Sequence, residues 1–256
     1  MTARFYADLA LLPGNSVFLP DQAARHVQVL RLQPGDAITL FNGQGNGEPG
    51  GEGEFEARIE RMGRSEVQVS IGAYRASARE ATRAVHLALG LPANQRMDWL
   101  IEKATELGVA SIQPLMSERS VLRIKGERAD KKGAHWRAIA IATCEQCGRN
   151  RLPVILPVAS LADWLRGNAR PTTEAAPDAA GTKLLLSLQE GSRPLGQVVT
   201  ATTGALTFLS GPEGGLSTAE EAAAMACGFG PISLGPRVLR AETAPLACLA
   251  LLTLLP

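Results

Sequence analysis

The chain has 256 residues, of which 45% are hydrophobic and 20% charged, and its net charge is +1 at pH 7. This composition excludes a disordered or fibrous protein and is typical of a globular one long enough for one or two domains. Its apolar runs are shorter than the ~20 residues that span a bilayer, and the first residues lack the apolar core of a signal peptide. We therefore expect a cytoplasmic protein without a membrane anchor.

Four cysteines are too few and too irregularly spaced for a disulfide framework. Cys144 and Cys147 form the sole CxxC pair of the sequence. Without a second such pair and with three histidines in the chain, no zinc or other metal site is expected. Both cysteines fall in a helical pattern, so we interpret them as reduced packing residues.

Residues 1–72 alternate between apolar and polar side chains with the period of a β-strand. Strands are predicted over residues 37–41, 55–59 and 67–71, and the glycine-rich stretch 42–53 reads as a loop. A domain of this length made of short strands is typical of a small barrel.

From residue 73 onward, strands alternate with helices. Strands are predicted over residues 85–91, 111–116 and 183–188. Helices are predicted over residues 95–107, around 131–147, and after Ser160, with 170–182 as a surface loop. This alternation predicts an α/β domain over residues 73–256, with a parallel sheet covered on both faces.

Two loops near the C-terminus contain the most informative sequence of the chain. Residues 211–217 and 234–244 each follow a short predicted strand, over 205–210 and 232–234, and each leads into a helix. Glycine and proline let such loops turn sharply and bring backbone groups up to a ligand. Loops of this kind at strand ends predict a pocket at the carboxyl edge of the sheet, although plain connections also use Gly-Pro turns. The polar residues of the two loops favour the pocket; they are Glu213, Arg237, Arg240 and Glu242.

The first of these loops lacks the pattern of a Walker or dinucleotide-binding loop. It ends in a helix start, with Ser217 and Glu220 in the spacing of a capping box. The helix is predicted to end at Gly228. A ligand at such a helix N-terminus would present a polar or carboxylate group.

The last segment, residues 245–255, reads as a helix that is apolar on every side. Such a helix must be buried on all sides. We expect it to be enclosed by loops of its own chain, by a partner subunit, or by both.

The two loops resemble the signature loops of the SPOUT methyltransferases, whose C-terminal chain forms a deep trefoil knot. Within that superfamily the chain resembles the RsmE family of ribosomal small-subunit RNA uridine-N3-methyltransferases. Further segments similar to those of the family occur in the same order along nearly the whole chain, over residues 4–5, 26–31, 41–43, 96–109, 118–120 and 145–149. The resemblance implies a PUA-like RNA-binding barrel followed by a SPOUT α/β-knot domain, assembled as a homodimer.

The resemblance also implies a reaction and its residues. S-adenosylmethionine would methylate N3 of uridine 1498 in 16S rRNA of the small ribosomal subunit. The cofactor-binding residues would be Leu188, Gly211, Pro212, Glu213, Gly214, Gly215, Leu234, Gly235, Arg237, Val238 and Leu239. For catalysis, Arg240 would stabilise charge on the uracil oxygens, and Glu213 or Glu242 would accept the N3 proton. The alternative for Arg240 is a structural ion pair with one of these carboxylates.

Charge is unevenly distributed and agrees with an RNA partner. Residues 73–170 contain 16 basic and 9 acidic side chains, and a basic stripe attracts a phosphate backbone. An ordinary solvated surface would look similar. The predicted RNA contacts are Arg4, Arg25, His26, Arg31, Arg119, Ser120, Arg123, Lys125 and Arg149, of which His26 is equally interpreted as a packed barrel residue.

Two other functions stay open on the sequence. One is a non-catalytic RNA-binding or ribosome-assembly protein with a degenerate knot domain, although intact glycines in both loops favour an enzyme. The other is a SPOUT methyltransferase that acts on a different RNA nucleotide.

Overall fold

The computed structural model describes residues 2–44, 52–93, 96–168 and 181–254. They form two compact units: Met1–Glu80 with Ile141–Leu152, and Ala81–Ala140 with Pro153–Pro256. The predicted boundary after residue 72 falls inside a strand, because the strand that begins at Val67 continues to Ala76. The segment 141–152, which sequence reasoning placed in the second domain, is grouped with the first unit.

The strands in chain order are β1 (Arg4–Tyr6), β2 (Ser16–Phe18), β3 (Ala37–Phe41), β4 (Gly53–Met62), β5 (Val67–Ala76), β6 (Val85–Gly90), β7 (Ser111–Met116), β8 (Val154–Ile155), β9 (Ala159–Ser160), β10 (Thr182–Leu186), β11 (Arg193–Pro194), β12 (Leu206–Ser210) and β13 (Gly230–Ser233). The helices are α1 (Asp21–Val29), α2 (Arg96–Glu106), α3 (Glu127–Cys147), α4 (Leu161–Gly167), α5 (Leu195–Val199), α6 (Thr218–Ala226) and α7 (Thr243–Thr253).

The first unit contains a five-stranded sheet in the order β1-β3-β4-β5-β2. β1 and β3 pair in parallel, and the other neighbours are antiparallel. Buried and exposed residues alternate along β4 and through the first half of β5, which confirms the period-two pattern. Phe5, Leu40 and Phe55 belong to the apolar core that this alternation produces.

Helix α1 was not predicted. The run 26–30 alternates like a strand, yet in the helix Val27 is fully buried while Val29 is 71% exposed. Ala23, Ala24 and Val27 form the buried face, because positions three and four apart share one side of a helix. The chain leaves the helix through Arg31, a non-glycine residue in the left-handed region at φ 56°.

The second unit contains an eight-stranded sheet in which all neighbours pair in parallel, as predicted. The strand order is β11-β13-β10-β12-β6-β7-β8, and β9 also pairs with β7. Leu87 and Leu89 of β6 join a core with residues of α2 and α7, whereas Ala88 joins one with residues of α4 and α6. Since successive side chains of a strand point to opposite faces, both faces of the sheet are covered.

The predicted helix ends are mostly confirmed. Ser217 and Glu220 form a complete capping box at the start of α6. Ser160 caps α4 by accepting a hydrogen bond from the Asp163 N–H. Gly108 and Gly228, which follow α2 and α6, have φ values of 85° and 88°, as expected for residues that end helices.

Helix α7 is only half enclosed by the chain that contains it. Leu246, Cys248 and Leu249 are buried, whereas Leu251 is 39% exposed and Leu254, just after the helix, is 64% exposed. The chain itself therefore encloses one face of the helix, and enclosure of the other face by a partner subunit stays a prediction.

The remaining expectations concern cysteines, metals and loops. The four cysteines are free, and burial raises the pKa of the Cys144 thiol to about 12, which agrees with a packing role. Within the described ranges, no cluster of three metal-binding side chains occurs, and no helix has the length and apolarity to cross a bilayer. Much of the predicted loops 42–53 and 170–182 lies outside the described residues.

Candidate functional site

A cavity of about 370 Å³ opens at the carboxyl edge of the parallel sheet. The strands that end there are β12, β10 and β13, with β10 between the other two. The loops that follow these strands supply most of the lining. Small-molecule sites occupy such crevices beyond the carboxyl ends of parallel strands, and the volume falls in their usual range.

Every residue predicted to bind the cofactor lines this cavity. These residues are Leu188, Gly211, Pro212, Glu213, Gly214, Gly215, Leu234, Gly235, Arg237, Val238 and Leu239. The strand β10 lies between the strands that precede the two glycine loops, and the loop that follows β10 forms a third part of the lining. Leu188, which was predicted to bind the cofactor, lies in this third loop and lines the cavity.

Close backbone packing explains the need for glycine in this wall. A Cβ atom on Gly211 would lie 2.6 Å from backbone atoms of Gly215 and Leu216, and one on Gly90 would lie 2.5 Å from Pro212. Such backbone contacts leave no room for a side chain. At Gly214 the nearest neighbour is the flexible side chain of Arg119 at 3.4 Å, so that position tolerates a small side chain better.

Arg119 braces the same loop. Its guanidinium donates hydrogen bonds to the carbonyl oxygens of Gly214, at 2.8 Å, and Leu216, at 3.3 Å. Arg119 was predicted as an RNA contact, and the structure places it in the lining of the cavity.

Glu221 was missed by sequence reasoning. It lies in the first turn of α6 and lines the cavity. Its Oε2 atom accepts hydrogen bonds from the Ser187 hydroxyl at 2.9 Å and the Gln189 amide at 2.6 Å. The first turn of α6 thus carries its own capping box and acidic residues, and Leu216, Thr218 and Glu221 line the cavity.

Glu213 is fixed by groups that follow β6. Its Oε1 atom accepts hydrogen bonds from the Ala93 N–H at 3.0 Å and from Arg96 at 2.9 Å. Partial burial alone would raise the pKa of Glu213, but the Ala93 N–H and the Arg96 charge together lower it. The carboxylate is thus held in its ionised form, which makes it a weak proton acceptor.

Glu242 lies just before α7 and faces the same arginine. Its Oε1 atom is 4.0 Å from Arg96 Nε, and its side chain is 12% exposed. Its Oε2 atom is buried and has no hydrogen-bond partner among the described residues. Sequence reasoning did not assign Arg96 to the site, although Arg96 begins the family-like segment 96–109.

Arg240 does not line the cavity, but Leu239 and Ala241 on either side of it do. Its carbonyl oxygen accepts hydrogen bonds from the N–H groups of Thr243 and Ala244, while its side chain is exposed. Across the described ranges, Arg240 forms no ion pair, and the carboxylates of Glu213 and Glu242 face Arg96 instead. The alternative of a structural ion pair for Arg240 thus has no support.

Besides Arg119, which is exposed where it lines the cavity, four of the predicted RNA-contacting residues are exposed. Arg25 and Arg31 lie on the surface of the first unit, and Arg123 and Lys125 lie on that of the second. The Arg123 guanidinium also donates to the Glu118 carbonyl oxygen at 2.9 Å. These side chains are available to phosphate groups.

Three others are buried, contrary to their prediction as RNA contacts. Arg149 donates hydrogen bonds to both oxygens of the Glu80 carboxylate, and the two side chains are only 6% and 10% exposed. Arg4 pairs with Glu54 and donates to the Asn150 side chain. Ser120 is 5% exposed and hydrogen-bonded to Ser117.

His26 is partly exposed and structurally engaged. Its Nδ1 atom lies 3.0 Å from Glu145 Oε2, and its ring packs edge-on against Phe5. These contacts favour its interpretation as a packed residue of the first unit.

Comparison with known families identifies the class of protein. Residues 79–253 match the RNA methyltransferase domain, and residues 19–48 match the RNA methyltransferase PUA domain. Fold and family together define an RNA methyltransferase with a PUA domain. The chain is 31% identical over 240 residues to the ribosomal RNA small subunit methyltransferase E of Bacillus subtilis, covering 88% of this chain and 84% of that protein. The chain belongs to the ribosomal RNA small subunit methyltransferase E family, which confirms the predicted family and enzyme class.

Two solved structures resemble the whole chain. One is a ribosomal RNA small subunit methyltransferase E from Neisseria gonorrhoeae bound to S-adenosyl methionine, with 36% identity, a TM-score of 0.86, and coverage of 98% of this chain and 96% of that one. The other is a putative methyltransferase from Legionella pneumophila in complex with the cofactor SAM, with 36% identity, a TM-score of 0.86, and coverage of 98% and 97%. The predicted two-domain fold is confirmed, while the knot stays a prediction.

The burial of Arg149 leads to a testable expectation. Arg149→Met leaves the Glu80 carboxylate buried without its partner, which should destabilise the protein by about 3–5 kcal/mol. Arg75→Met, which breaks the exposed pair with Glu56, should cost about 0–1 kcal/mol. Denaturant unfolding measures both. Equal stability of the two variants would contradict the structural role of Arg149.

Proposed function

We propose that this protein transfers a methyl group from S-adenosylmethionine to N3 of uridine 1498 in 16S rRNA. The observation that carries the proposal is the single cavity lined by all eleven predicted cofactor residues. Membership of the family supports the ribosomal RNA substrate, and the cofactor is the one bound in two similar structures. The site of action would be the cytoplasm, where 16S rRNA is found.

The residues of the cavity fit the proposed cofactor. Apolar side chains such as Leu188, Val238 and Leu239 suit the adenosine. The Glu221 carboxylate suits a cation, and Arg119 and Arg237 suit the carboxylate of the amino-acid end. When bound, S-adenosylmethionine supplies an electrophilic methyl group.

We assign Arg240 to contact with the uracil base that accepts the methyl group. The N3 atom of uridine is a weak acid, so transfer of a methyl group to it requires stabilisation of the uracil anion. The Arg240 side chain is exposed beside two cavity residues and has no carboxylate partner in the described part of the chain. A guanidinium placed there stabilises charge that develops on the uracil oxygens.

Of the two predicted proton acceptors, we retain Glu242. Glu213 already accepts two hydrogen bonds and has a lowered pKa, whereas Glu242 keeps an oxygen without a donor among the described residues. Because that oxygen is buried, the segment that precedes α7 must move for the carboxylate to reach a base.

RNA would be held by the exposed cations. Arg25 and Arg31 in the PUA domain, with Arg123 and Lys125 in the second unit, contact phosphate groups and position the RNA without reading its sequence. Arg119 belongs to the cofactor site, where it braces the loop.

The homodimer is also part of this proposal. Helix α7 consists almost entirely of apolar residues, and its outer face exposes Leu251, with Leu254 just beyond the helix end. Adjacent exposed apolar side chains mark protein–protein contacts. A second copy of the chain is the partner that we assign to this face.

Analysis of modified nucleosides tests the proposed reaction. In a strain that lacks the gene, mass spectrometry of 16S rRNA should find no N3-methyluridine, and the wild-type gene should restore it. Gly211→Ala should fail to restore it and should not bind S-adenosylmethionine in calorimetry, because the added Cβ displaces the loop backbone.

Gly214→Ala is the matched control, since its Cβ meets only a flexible side chain. It should restore the modification. Methylation of a different nucleotide would refute the proposed target, and unchanged methylation in the Gly211→Ala strain would refute the cofactor loop.

The role of Arg240 predicts a defect in rate without a defect in cofactor binding. Arg240→Ala should lower the single-turnover rate by roughly 10²-fold, the scale for loss of one preorganised donor. Raising the pH should partly rescue it, because more uridine ionises unaided. Arg193→Ala, an exposed arginine outside the cavity, is the control. A normal rate in the folded Arg240→Ala protein would refute this role.

The dimer surface predicts a change in assembly. Leu251→Glu places a charge where the partner would bury it, and desolvating an unpaired charge is costly. This variant should sediment as a monomer, whereas the wild type sediments as a dimer. Met225→Glu, at a residue of α6 with the same 39% exposure, should remain dimeric. If the Leu251→Glu protein remains a dimer, the interface does not include this face of α7.

A further inference from the structure

We infer that Arg96 is a positioning residue that ties together two walls of the cofactor cavity through Glu213 and Glu242. The inference rests on the proposed function for its catalytic meaning. Its structural basis is a single guanidinium that faces carboxylates from two separate loops. Arg96 is the first residue of α2 and does not itself line the cavity.

The contact with Glu213 fixes the first wall. Glu213 belongs to the loop after β12 and lines the cavity. Arg96 donates a hydrogen bond of 2.9 Å to its Oε1 atom, which also accepts one from the Ala93 N–H. Charge-assisted hydrogen bonds of this kind are stronger than neutral ones. The loop is thereby attached to the segment between β6 and α2.

The contact with Glu242 fixes the second wall. Glu242 lies between Ala241 and Thr243, and both Ala241 and Ala244 line the cavity. The Oε1 atom of Glu242 is 4.0 Å from Arg96 Nε, which is an ion pair and too long for a hydrogen bond. Within the described part of the chain, no other cation lies within 4.0 Å of this carboxylate.

Burial makes the arginine necessary for Glu242. The Glu242 side chain is 12% exposed and its Oε2 atom has no hydrogen-bond partner among the described residues. A buried carboxylate without a counter-charge is costly, so loss of Arg96 would favour outward movement of the Glu242 side chain. That movement would displace the residues beside it, which form the cavity wall and precede α7.

Loss of Arg96 would also leave two carboxylates, those of Glu213 and Glu242, without the cation that both of them face. Glu213 and Glu242 approach Arg96 from different loops, so the guanidinium screens their mutual repulsion as well as joining them. Arg96 does not line the cavity and therefore acts through other residues.

The test compares Arg96→Met with Lys103→Met. Lys103 lies on the same helix and also pairs with two carboxylates, Glu102 and Glu106, at 2.7 Å each, but away from the cavity. Arg96→Met should bind S-adenosylmethionine roughly tenfold more weakly, the scale of one lost charge-assisted hydrogen bond. Lys103→Met should bind it normally, and Arg96→Lys should be intermediate. Calorimetry measures all three.

Double-mutant cycles separate positioning from a general loss of stability. If Arg96 acts through both carboxylates, adding Arg96→Met to Glu213→Gln or to Glu242→Gln should weaken binding less than it does in the wild type. Fully additive effects in either cycle would overturn the bridge. If Arg96→Met does not fold, the same cycles with Arg96→Lys decide the question.

The pH dependence gives an independent readout. Arg96 helps to lower the pKa of Glu213, so the wild-type carboxylate stays ionised to lower pH. In Arg96→Met this pKa rises, and the loss of cofactor binding on acidification should begin at higher pH. If the loss of cofactor binding on acidification begins at the same pH in both proteins, the role assigned to Arg96 is contradicted.

Hydrogen exchange on the cofactor-free protein keeps the inference separate from the proposed function. Arg96→Met should speed exchange of backbone amides in residues 211–216 and 239–244, and Lys103→Met should not. If the wild type fails to bind S-adenosylmethionine while this exchange still rises, the proposed cofactor is wrong and the bridge stands. Unchanged exchange in both segments would overturn the bridge itself.

Discussion

The cavity depends on backbone segments that approach one another more closely than side chains allow. Gly211 packs against the backbone of Gly215 and Leu216, and Gly90 of the neighbouring strand packs against Pro212. The parallel sheet makes this approach possible, because it brings the ends of β6, β12, β10 and β13 to one edge. Where these glycines leave no room for a side chain, the wall is formed by the backbone, which suits recognition of a ligand by the main chain.

Charged side chains hold these loops from outside the cavity or from its rim. Arg119 donates to carbonyl oxygens of the 211–216 loop, Glu221 accepts from the loop after β10, and Arg96 faces Glu213 and Glu242. Each contact joins segments far apart in sequence. Backbone shape alone leaves such loops free to move, so the ionic contacts preorganise the site.

The arginines of this chain show why charge by itself is a poor guide to function. Arg149 and Arg4 are buried in ion pairs of the first unit, Arg119 and Arg96 support the loops that line the cavity, and Arg240 is exposed beside them. Their side chains carry the same charge in the sequence. What distinguishes them is their burial and their partners, since a guanidinium that is buried in an ion pair is not available to RNA.

Local sequence determined the parts of this protein that depend on local chemistry. The strands β3 and β7, the capping box at Ser217 and the glycine-rich loops that line the cavity were predicted because periodicity, caps and turns are properties of neighbouring residues. The identity of the ligand was predicted from the resemblance to a known family. Tertiary structure alone decided that β10 separates the two glycine loops, that residues 26–29 are helical, that Ser120 is buried, and that Arg96 faces two carboxylates. These features arise from contacts between segments distant in the chain, and such contacts leave no periodic or local pattern in the sequence.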